Sequence, residues 1–388
     1  MGPRCPRMRY LPTASGIMLL VERDCKRTGA RSADGVDAPD GLWCTMGLNE
    51  DIIPADIEGR FSTRMGKQTI NSSASGAGPV ATEAGPLVVA VVLTWNDVEM
   101  TRVCVRSVFD NTHRPLAVVV VDNGSSFPTL APLREEFPDI ETVQLARNFG
   151  FAGGCNRGIE KALEMGADYV FLLNNDTIVD RHAGAELLQA METHKDAALA
   201  SAVLLFPGED KRIQVHCVWP NRDRAVGVQH NVNETLTDAL RQTVETGFAP
   251  ACAVLLRPEA LRQVGLFDEG LFTNWEDYDL CLRFTDAGHK LLMVGAAEVV
   301  HKHGQTTGTT SPFITYFSVR NRLTCLFRYG TRRGILANLP WLIRSFLAPI
   351  WGRGLADLEG HRAYLKGVLH FLLGVDGGDG APTKRDDN

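Results

Sequence analysis

The stretch that decides the fold is Leu87-Val88-Val89-Ala90-Val91-Val92-Leu93-Thr94-Trp95-Asn96. Its continuous run of apolar, mostly β-branched residues is typical of a strand that is buried on both faces, as in a parallel sheet. A helical pattern follows, and the valine-rich residues 116–121 repeat the strand signal just before Asp122. This alternation of strand and helix predicts an α/β fold in which polar loops meet at the carboxyl ends of the strands.

The same alternation continues to about residue 301. It predicts further strands at 140–145, 169–173, 251–256, 291–294 and 298–301, and helices at 154–165, 258–264 and 278–287. We therefore expect a Rossmann-like mixed sheet, mostly parallel and flanked by helices, with a helical C-terminal extension.

Composition limits the class of protein. The chain has 388 residues, of which 44% are hydrophobic, and its formal net charge is −6. These values exclude a wholly disordered chain and a strongly basic nucleic-acid binder, so no nucleic-acid partner is expected. Nine cysteines occur without a CxxC pair, which favours a reducing compartment over a disulfide scaffold. No apolar run has the length of a spanning helix and no signal peptide is recognisable, so the sequence predicts a cytoplasmic protein.

Composition also divides the chain into segments. Residues 1–85 mix Gly, Pro, Ser and Thr without a sustained period, and we expect them to be poorly ordered apart from a short element around 41–53. The α/β domain is expected over 86–310, a helical extension over 311–375 and a disordered tail over 376–388. The extension mixes apolar and basic residues, which predicts helices at a membrane interface, or helices packed on the α/β domain or on a second subunit.

Polar loops that follow the predicted strands carry the candidate chemistry. Asp122 can accept a hydrogen bond from the ring N–H of a pyrimidine base, although Asp-Asn-Gly-Ser also suits an Asx-turn. The glycine-rich residues 148–158 let the backbone approach a ligand, but they match neither GxGxxG nor a P-loop, and they can also serve to pack a helix on the sheet. Asn174-Asn175-Asp176 offers one carboxylate that can hold a divalent cation on a diphosphate, or cap a turn.

Two further motifs lie in the second half of the chain. Asn274-Trp275-Glu276-Asp277-Tyr278-Asp279 places three carboxylates within four positions, where repulsion can raise one pKa and create a general base. Acidic residues in the first turn of a helix are the alternative explanation. Trp275 offers a ring face on which a sugar can stack. His301-Lys302-His303-Gly304 ends an apolar strand, and His301 can complete a cation site with Asp176, although surface histidines are common.

In this order, the motifs at 91–96, 120–125, 147–152, 173–176 and 275–280 resemble those of family 2 glycosyltransferases with the GT-A fold. They are most similar to the bacterial rhamnosyltransferase-like branch that builds surface polysaccharides. The resemblance covers about 87–303 and extends weakly over 316–322. Asn174 stands where the family's DxD motif has its first Asp, and Ala249-Pro250-Ala251 stands where Ser-Gly-Ala is frequent.

The resemblance implies a role for each matching residue. Asp277 would be the catalytic base with Glu276 beside it, and Asp176 and His301 would bind Mg²⁺ or Mn²⁺. The residues expected to bind the nucleotide-sugar are Thr94, Asn96, Asp122, Asn148, Gly154, Asn156, Asn174 and Asn175. Trp275 is expected to bind the acceptor.

The implied reaction is a metal-dependent, inverting transfer of a sugar such as rhamnose. The donor would be a dTDP- or UDP-sugar, and the acceptor would be a hydroxyl of a glycan or lipid-linked glycan. The protein would lie peripherally on the inner face of the cytoplasmic membrane and could form a homo-oligomer. Two other classes stay open. A sugar-phosphate nucleotidyltransferase needs a basic glycine-rich loop that residues 94–97 lack, and a non-catalytic carbohydrate-binding pseudoenzyme would not need Asp176, Asp277 and His301 together.

Overall fold

The computed structural model describes residues 9–12, 18–21, 85–302, 311–348 and 358–378. Most of the N-terminal segment, including the element expected around 41–53, and residues 379–388 of the expected tail lie outside the described residues, as does His303. Within the N-terminal segment, the structure describes two short antiparallel strands, β1 (Arg9–Pro12) and β2 (Met18–Val21).

The remaining strands form one large mixed sheet and complete a small one. In chain order they are β3 (Val88–Thr94), β4 (Leu116–Asp122), β5 (Glu141–Gln144), β6 (Tyr169–Asn174), β7 (Thr177–Val179), β8 (Ala197–Leu205), β9 (Ile213–Val215), β10 (Val218–Asn221), β11 (Val226–Gln229), β12 (Thr243–Thr246), β13 (Ala253–Leu256) and β14 (Lys290–His301). The large sheet has the order β12-β14-β8-β13-β6-β3-β4-β5, with β7 paired to β14 and β9 to β8. The small sheet has the order β1-β2-β11-β10.

Helices follow most strands of the large sheet. They are α1 (Val98–Phe109), α2 (Leu130–Glu136), α3 (Gly150–Glu164), α4 (Ala183–Thr193), α5 (Pro258–Val264) and α6 (Glu276–Asp286). Helix α3 begins four residues earlier than predicted, so the glycine-rich segment is mostly helix rather than loop. The two strands expected near residue 300 form the single strand β14, whose register on β8 shifts between Val294 and Glu298.

The strands β6-β3-β4-β5 run parallel, where the valine-rich stretches predicted it, and β14 also runs parallel to β8. All of β3 is buried, and helices α1 and α3 both pack on it. Thr94 is in register with Asp122, and Leu93 with Asn174, so the loops after β3, β4 and β6 leave the sheet at one edge. The prediction of an α/β fold with a mixed sheet is confirmed, although β13 runs antiparallel to both of its neighbours.

The C-terminal extension is helical where it is described. It consists of α7 (Pro312–Tyr329), α8 (Arg332–Ala337), α9 (Leu339–Ala348) and α10 (Leu358–Leu373). Helix α10 packs closely on α7, because a Cβ at Gly367 would lie only 2.8 Å from the carbonyl oxygen of Tyr316. Among the described residues, no helix is both long and apolar enough to cross a membrane.

Candidate active site

The site is built at the edge where β3, β4 and β6 end. Thr94 is buried, and its hydroxyl donates to the carbonyl of Asp97 at 3.0 Å and accepts from the hydroxyl of Thr101 at 2.7 Å. Asn96 has a left-handed φ of 55°, and its side-chain oxygen accepts from the backbone N–H of Ser126 at 2.7 Å. Asn96 therefore ties the loop after β3 to the loop after β4. A contact of Thr94 or Asn96 with a nucleotide stays a prediction.

Asp122 sits at the end of β4 with only 1% of its surface exposed. One carboxylate oxygen accepts from the backbone N–H of Ser125 at 2.9 Å, which closes an Asx-turn. The other accepts from the buried hydroxyl of Thr129. Both oxygens thus hold the loop in place, and recognition of a base by Asp122 would use the lone pairs that these two bonds leave over.

Asn148 organises the start of helix α3. Its side-chain oxygen accepts from the backbone N–H of Gly150 at 2.7 Å and from the amide of Asn123 at 3.1 Å. Asn123 in turn donates to the carbonyl of Gly150 at 2.9 Å and accepts from the N–H of Phe149 at 3.0 Å. The two asparagines therefore fix the helix N-terminus against the end of β4. Asn123 stands in the same motif as Asp122 but is not among the site residues predicted from the sequence.

Gly154 packs the helix on the sheet, and its expected role in binding the donor stays a prediction. It lies within α3, and a Cβ there would come within 2.5 Å of Leu93 Cδ1. A Cβ on Gly158, one turn later, would lie 2.3 Å from Val91 Cγ1. The glycines are needed because the helix lies unusually close to β3. The packing explanation of the glycine-rich segment is therefore the one that the structure supports.

Asn156 ties helix α3 to the segment before α6. It is 4% exposed, and its amide donates to the carbonyl of Phe267 at 2.9 Å and to the carboxylate of Glu269 at 3.1 Å. Its side-chain oxygen accepts from the N–H of Phe267 at 3.0 Å. These bonds use both donors and one acceptor site of the amide, and a contact of Asn156 with the donor stays a prediction.

The loop after β6 presents Asn174, Asn175 and Asp176. The side-chain oxygen of Asn174 is buried without a hydrogen-bond partner, which is costly unless something polar binds it. The amide of Asn175 donates to the hydroxyl of Thr101 at 3.3 Å. Asp176 is 8% exposed, and its Oδ1 lies 3.3 Å from Nε2 of His301, at the end of the neighbouring β14.

Asp176 and His301 suit one divalent cation. Atoms 3.3 Å apart can both contact an ion at the usual ligand distance of about 2.1 Å. Nδ1 of His301 lies 2.8 Å from the side-chain oxygen of Gln214, and a proton on Nδ1 leaves Nε2 free to act as the ligand. The described residues contain no cluster of three or more His, Cys, Asp or Glu suited to a metal, so a cation here would need further oxygens from substrate or water.

His301 and Asp176 also attract each other directly. Burial lowers the pKa of His301, whereas Cys252 and Asp176 raise it, and the net result is a rise to about 10. A cation bound at Nε2 would compete with a proton for this nitrogen.

Helix α6 places the acidic cluster in its first turn. Trp275, just before it, is 1% exposed and packs edge-to-face on Tyr278 with ring centroids 5.2 Å apart. The ring of Trp275 is thus enclosed by protein, and its stacking on an acceptor stays a prediction. Glu276 is buried with Oε2 unpartnered, and burial together with the charge of Asp277 raises the pKa of its carboxyl well above the usual range.

The two aspartates of the cluster differ in their surroundings. Asp279 is fully engaged: it accepts from Arg283 at 2.8 Å, from Arg328 at 3.1 Å and from the hydroxyl of Tyr329 at 2.6 Å. Asp277 is 3% exposed and accepts from the N–H of Tyr278 at 2.8 Å. The geometry therefore gives Asp279 a structural role and leaves Asp277 as the candidate base.

Cys252 lies just before β13, beside the loop that follows β6. Burial raises the pKa of its thiol, and the charges of Asp176 and Asp277 act in the same direction, whereas His301 lowers it. The carbonyl of Cys252 accepts from the N–H of Asn174 at 2.9 Å. Asp176 and His301, which are more than a hundred positions apart in the sequence, thus meet at this edge of the sheet.

Comparison with known proteins supports the fold. A solved structure of GalNAc-T7 with UDP, GalNAc and Mn²⁺ superimposes with a TM-score of 0.50 at 13% identity, and the match covers 68% of this chain and 58% of that one. At this identity the likeness shows the fold alone. The chain thus has the GT-A fold of glycosyltransferases.

The sequence matches are more specific. Residues 89–265 match the model of glycosyl transferase family 2. The N-acetylglucosaminyl-diphospho-decaprenol L-rhamnosyltransferase of Mycobacterium tuberculosis is 26% identical over 61% of this chain and 82% of its own length. The dTDP-rhamnosyl transferase RfbF of Shigella flexneri is 25% identical over 54% of this chain and 70% of its own length. The rhamnosyltransferase WbbL of Escherichia coli is 27% identical over 57% of this chain and 84% of its own length. Residues 89–265 therefore match glycosyl transferase family 2, and the named relatives support the rhamnosyltransferase-like branch.

Proposed function

We propose that this enzyme transfers a sugar, with rhamnose as the first candidate, from a dTDP- or UDP-donor to a hydroxyl of a lipid-linked glycan, with inversion at the anomeric carbon. The observation that carries the proposal is the contact of Asp176 with His301, 3.3 Å apart at the carboxyl edge of the sheet, in a chain whose residues 89–265 match glycosyl transferase family 2. The names of the mycobacterial and Shigella relatives supply the choice of rhamnose, dTDP and a lipid-linked acceptor. Residues 86–310 would form the catalytic domain.

The donor would lie across the ends of β3, β4 and β6. Thr94, Asn96 and Asp122 are assigned to the nucleoside, since their loops are tied together at this edge. Asp176 and His301 would hold Mg²⁺ or Mn²⁺, which when bound would neutralise charge on the leaving diphosphate. The unpartnered oxygen of Asn174 and the amide of Asn175 point to further polar contacts with the donor or with water on the cation.

Asp277 would act as the general base. Its carboxylate takes the proton of the acceptor hydroxyl as the oxygen attacks the anomeric carbon. The bond to the nucleoside diphosphate breaks on the opposite face, so the configuration inverts and no covalent enzyme intermediate forms. Burial and the charge of Asp277 raise the pKa of the neighbouring Glu276 carboxyl, which favours its uncharged form.

Product analysis tests this function directly. Purified enzyme is incubated with Mn²⁺, dTDP-L-rhamnose or a panel of UDP-sugars, and N-acetylglucosaminyl-diphospho-polyprenol in detergent. Release of a nucleoside diphosphate together with a glycosylated lipid is the expected result. Pyrophosphate formed from a sugar phosphate and a nucleoside triphosphate would instead identify a nucleotidyltransferase, and donor binding without turnover would identify a pseudoenzyme.

The C-terminal extension, 311–375, is proposed to dock on the membrane that carries the acceptor. The face of α10 opposite α7 has a stripe of exposed leucines at helical spacing, Leu358, Leu365, Leu369 and Leu372, with Arg362 among them. Leu336, on α8, is 69% exposed beside the exposed Arg332 and Arg333. Apolar side chains bordered by arginines suit an anionic lipid surface, and this would place the enzyme on the inner face of the cytoplasmic membrane.

Co-sedimentation with vesicles tests the docking surface. The full-length protein is expected to bind vesicles of phosphatidylglycerol and phosphatidylcholine, and a variant with Leu365, Leu369 and Leu372 all changed to Gln is expected to stay in solution. A control variant with Val103→Gln, an exposed apolar residue on α1, should bind as the wild type does. Equal sedimentation of all three proteins would exclude this face. Loss of a dimer in the triple variant, measured by light scattering, would assign the face to a second subunit instead.

A further inference from the structure

The loop that leads into α6 has an unusual backbone. Three residues that are not glycine adopt a positive φ there: Phe272 at 63°, Asn274 at 64° and Trp275 at 78°. Such conformations are unfavourable for residues with a Cβ and persist only where the surroundings hold them. The loop ends one residue before Glu276 and two before Asp277, so its shape sets where the candidate base lies.

One side chain from the C-terminal extension lies at the centre of this loop. Asn321, on α7, is fully buried, and its amide nitrogen donates to the carbonyls of Leu271 at 2.7 Å, Thr273 at 2.8 Å and Asn274 at 2.7 Å. An amide has two hydrogens, so the three carbonyls share them. The loop is therefore curled around a single donor that belongs to a different part of the chain.

Arg320 fixes the direction of that amide. Its Nε donates to the side-chain oxygen of Asn321 at 2.8 Å, which leaves the nitrogen facing the loop. The same guanidinium donates to the carbonyl of Gly270 at 2.7 Å and to that of Gly377 at 2.6 Å, and the N–H of Gly377 donates to the carbonyl of Gly270 at 2.7 Å. The start of the loop is thus held by α7 and by the residues that follow α10.

We propose that Asn321 is a positioning residue for the transfer reaction: it holds the strained loop 271–275 and so keeps Asp277 where it can reach the acceptor hydroxyl. Asn321 itself does not touch the substrates. The inference rests on the proposed function, because it takes Asp277 as the base. It also explains why a helix outside the α/β domain has an asparagine with no exposed surface.

Two alanine variants separate positioning from loss of stability. Asn321→Ala removes the three loop contacts. Asn338→Ala is a matched control, since Asn338 is 4% exposed and donates to two backbone carbonyls, those of Asp223 at 2.7 Å and Gly334 at 2.8 Å, away from the loop. For each protein we would measure the midpoint of unfolding and the hydrogen exchange of peptides covering 268–280. We would also measure kcat and KM with the donor that is active in the product assay, either dTDP-L-rhamnose or one of the UDP-sugars.

The expected result is a drop in kcat on the order of 10²-fold for Asn321→Ala with donor KM unchanged, because a small displacement of a reacting group is enough for such a loss. Exchange over 268–280 should rise in this variant alone, while both variants lose similar stability. Equal kcat losses in the two variants, or unchanged exchange in Asn321→Ala, would overturn the inference. A wild type without transfer activity would refute the proposed function and the catalytic part of the inference together, and exchange alone would then decide whether Asn321 holds the loop.

Discussion

Replacing each aspartate of the acidic cluster by asparagine should separate catalysis from stability. In Asp279→Asn, the carboxylate that binds Arg283, Arg328 and the hydroxyl of Tyr329 loses its charge while its shape is kept. A hydrogen bond to a charged group contributes about 1.5–3 kcal/mol, and breaking a buried pair costs about 3–5 kcal/mol. The arginine side chains are 24% and 41% exposed, so water screens part of the loss. We therefore expect the free energy of unfolding to fall by about 2–3 kcal/mol.

Asp277→Asn should behave in the opposite way. Its unfolding free energy should stay within about 1 kcal/mol of the wild-type value, while the rate of sugar transfer falls by roughly 10²-fold or more at unchanged affinity for the nucleoside diphosphate. Urea unfolding followed by tryptophan fluorescence gives the stability of each variant, and release of the nucleoside diphosphate gives the rate at a temperature where both are folded. If Asp279→Asn is stable and inactive while Asp277→Asn is active, the base has been assigned to the wrong aspartate.

Three further predictions test the surroundings of the site. Gly158→Ala should lower the free energy of unfolding by about 1–3 kcal/mol without changing the donor KM, because its Cβ would lie 2.3 Å from Val91 Cγ1. A higher donor KM with unchanged stability would show instead that the glycines bind the donor. Gln214→Leu should weaken Mn²⁺ binding, measured calorimetrically with UDP or dTDP present, by roughly 10–100-fold, since it frees the His301 ring; unchanged binding would remove Gln214 from the site. Glu276 has a raised pKa in the folded protein, so its contribution to stability is present at low pH and is lost as pH rises above about 4. Above that pH, the free energy of unfolding of the wild type should fall by up to about 1.4 kcal/mol per pH unit relative to that of Glu276→Gln. Parallel profiles of unfolding free energy against pH for the two proteins would contradict the effect of burial on Glu276.

Local pattern was enough to locate the sheet edge and its loops. The valine-rich strands and the polar residues that end them repeat at short range, so residues 87–93, 116–121 and 169–173 could be assigned as strands from the sequence. The rule that parallel strands end at one edge then brought Asp122 and Asp176 to the same side of the sheet. Local pattern could not decide between packing and ligand binding for Gly154 and Asn156, because whether a residue early in a helix faces a ligand or the sheet depends on where the helix begins and how closely it packs.

What the sequence determined by itself is therefore the class of fold, the family and the residue types available for chemistry, since these follow from periodicity and from motifs of a few adjacent residues. The tertiary structure decided which of those residues share a site. Gln214 reaches His301 across 87 positions, and Asn321 reaches Asn274 across 47. Such pairings leave no local pattern, because a hydrogen bond between distant residues constrains only the two positions involved. The surroundings of Trp275 are also set by tertiary packing, because its ring is exposed or buried according to what packs on it. Asp279 depends on the tertiary structure as well, since its partners come mainly from a helix that begins more than thirty residues later.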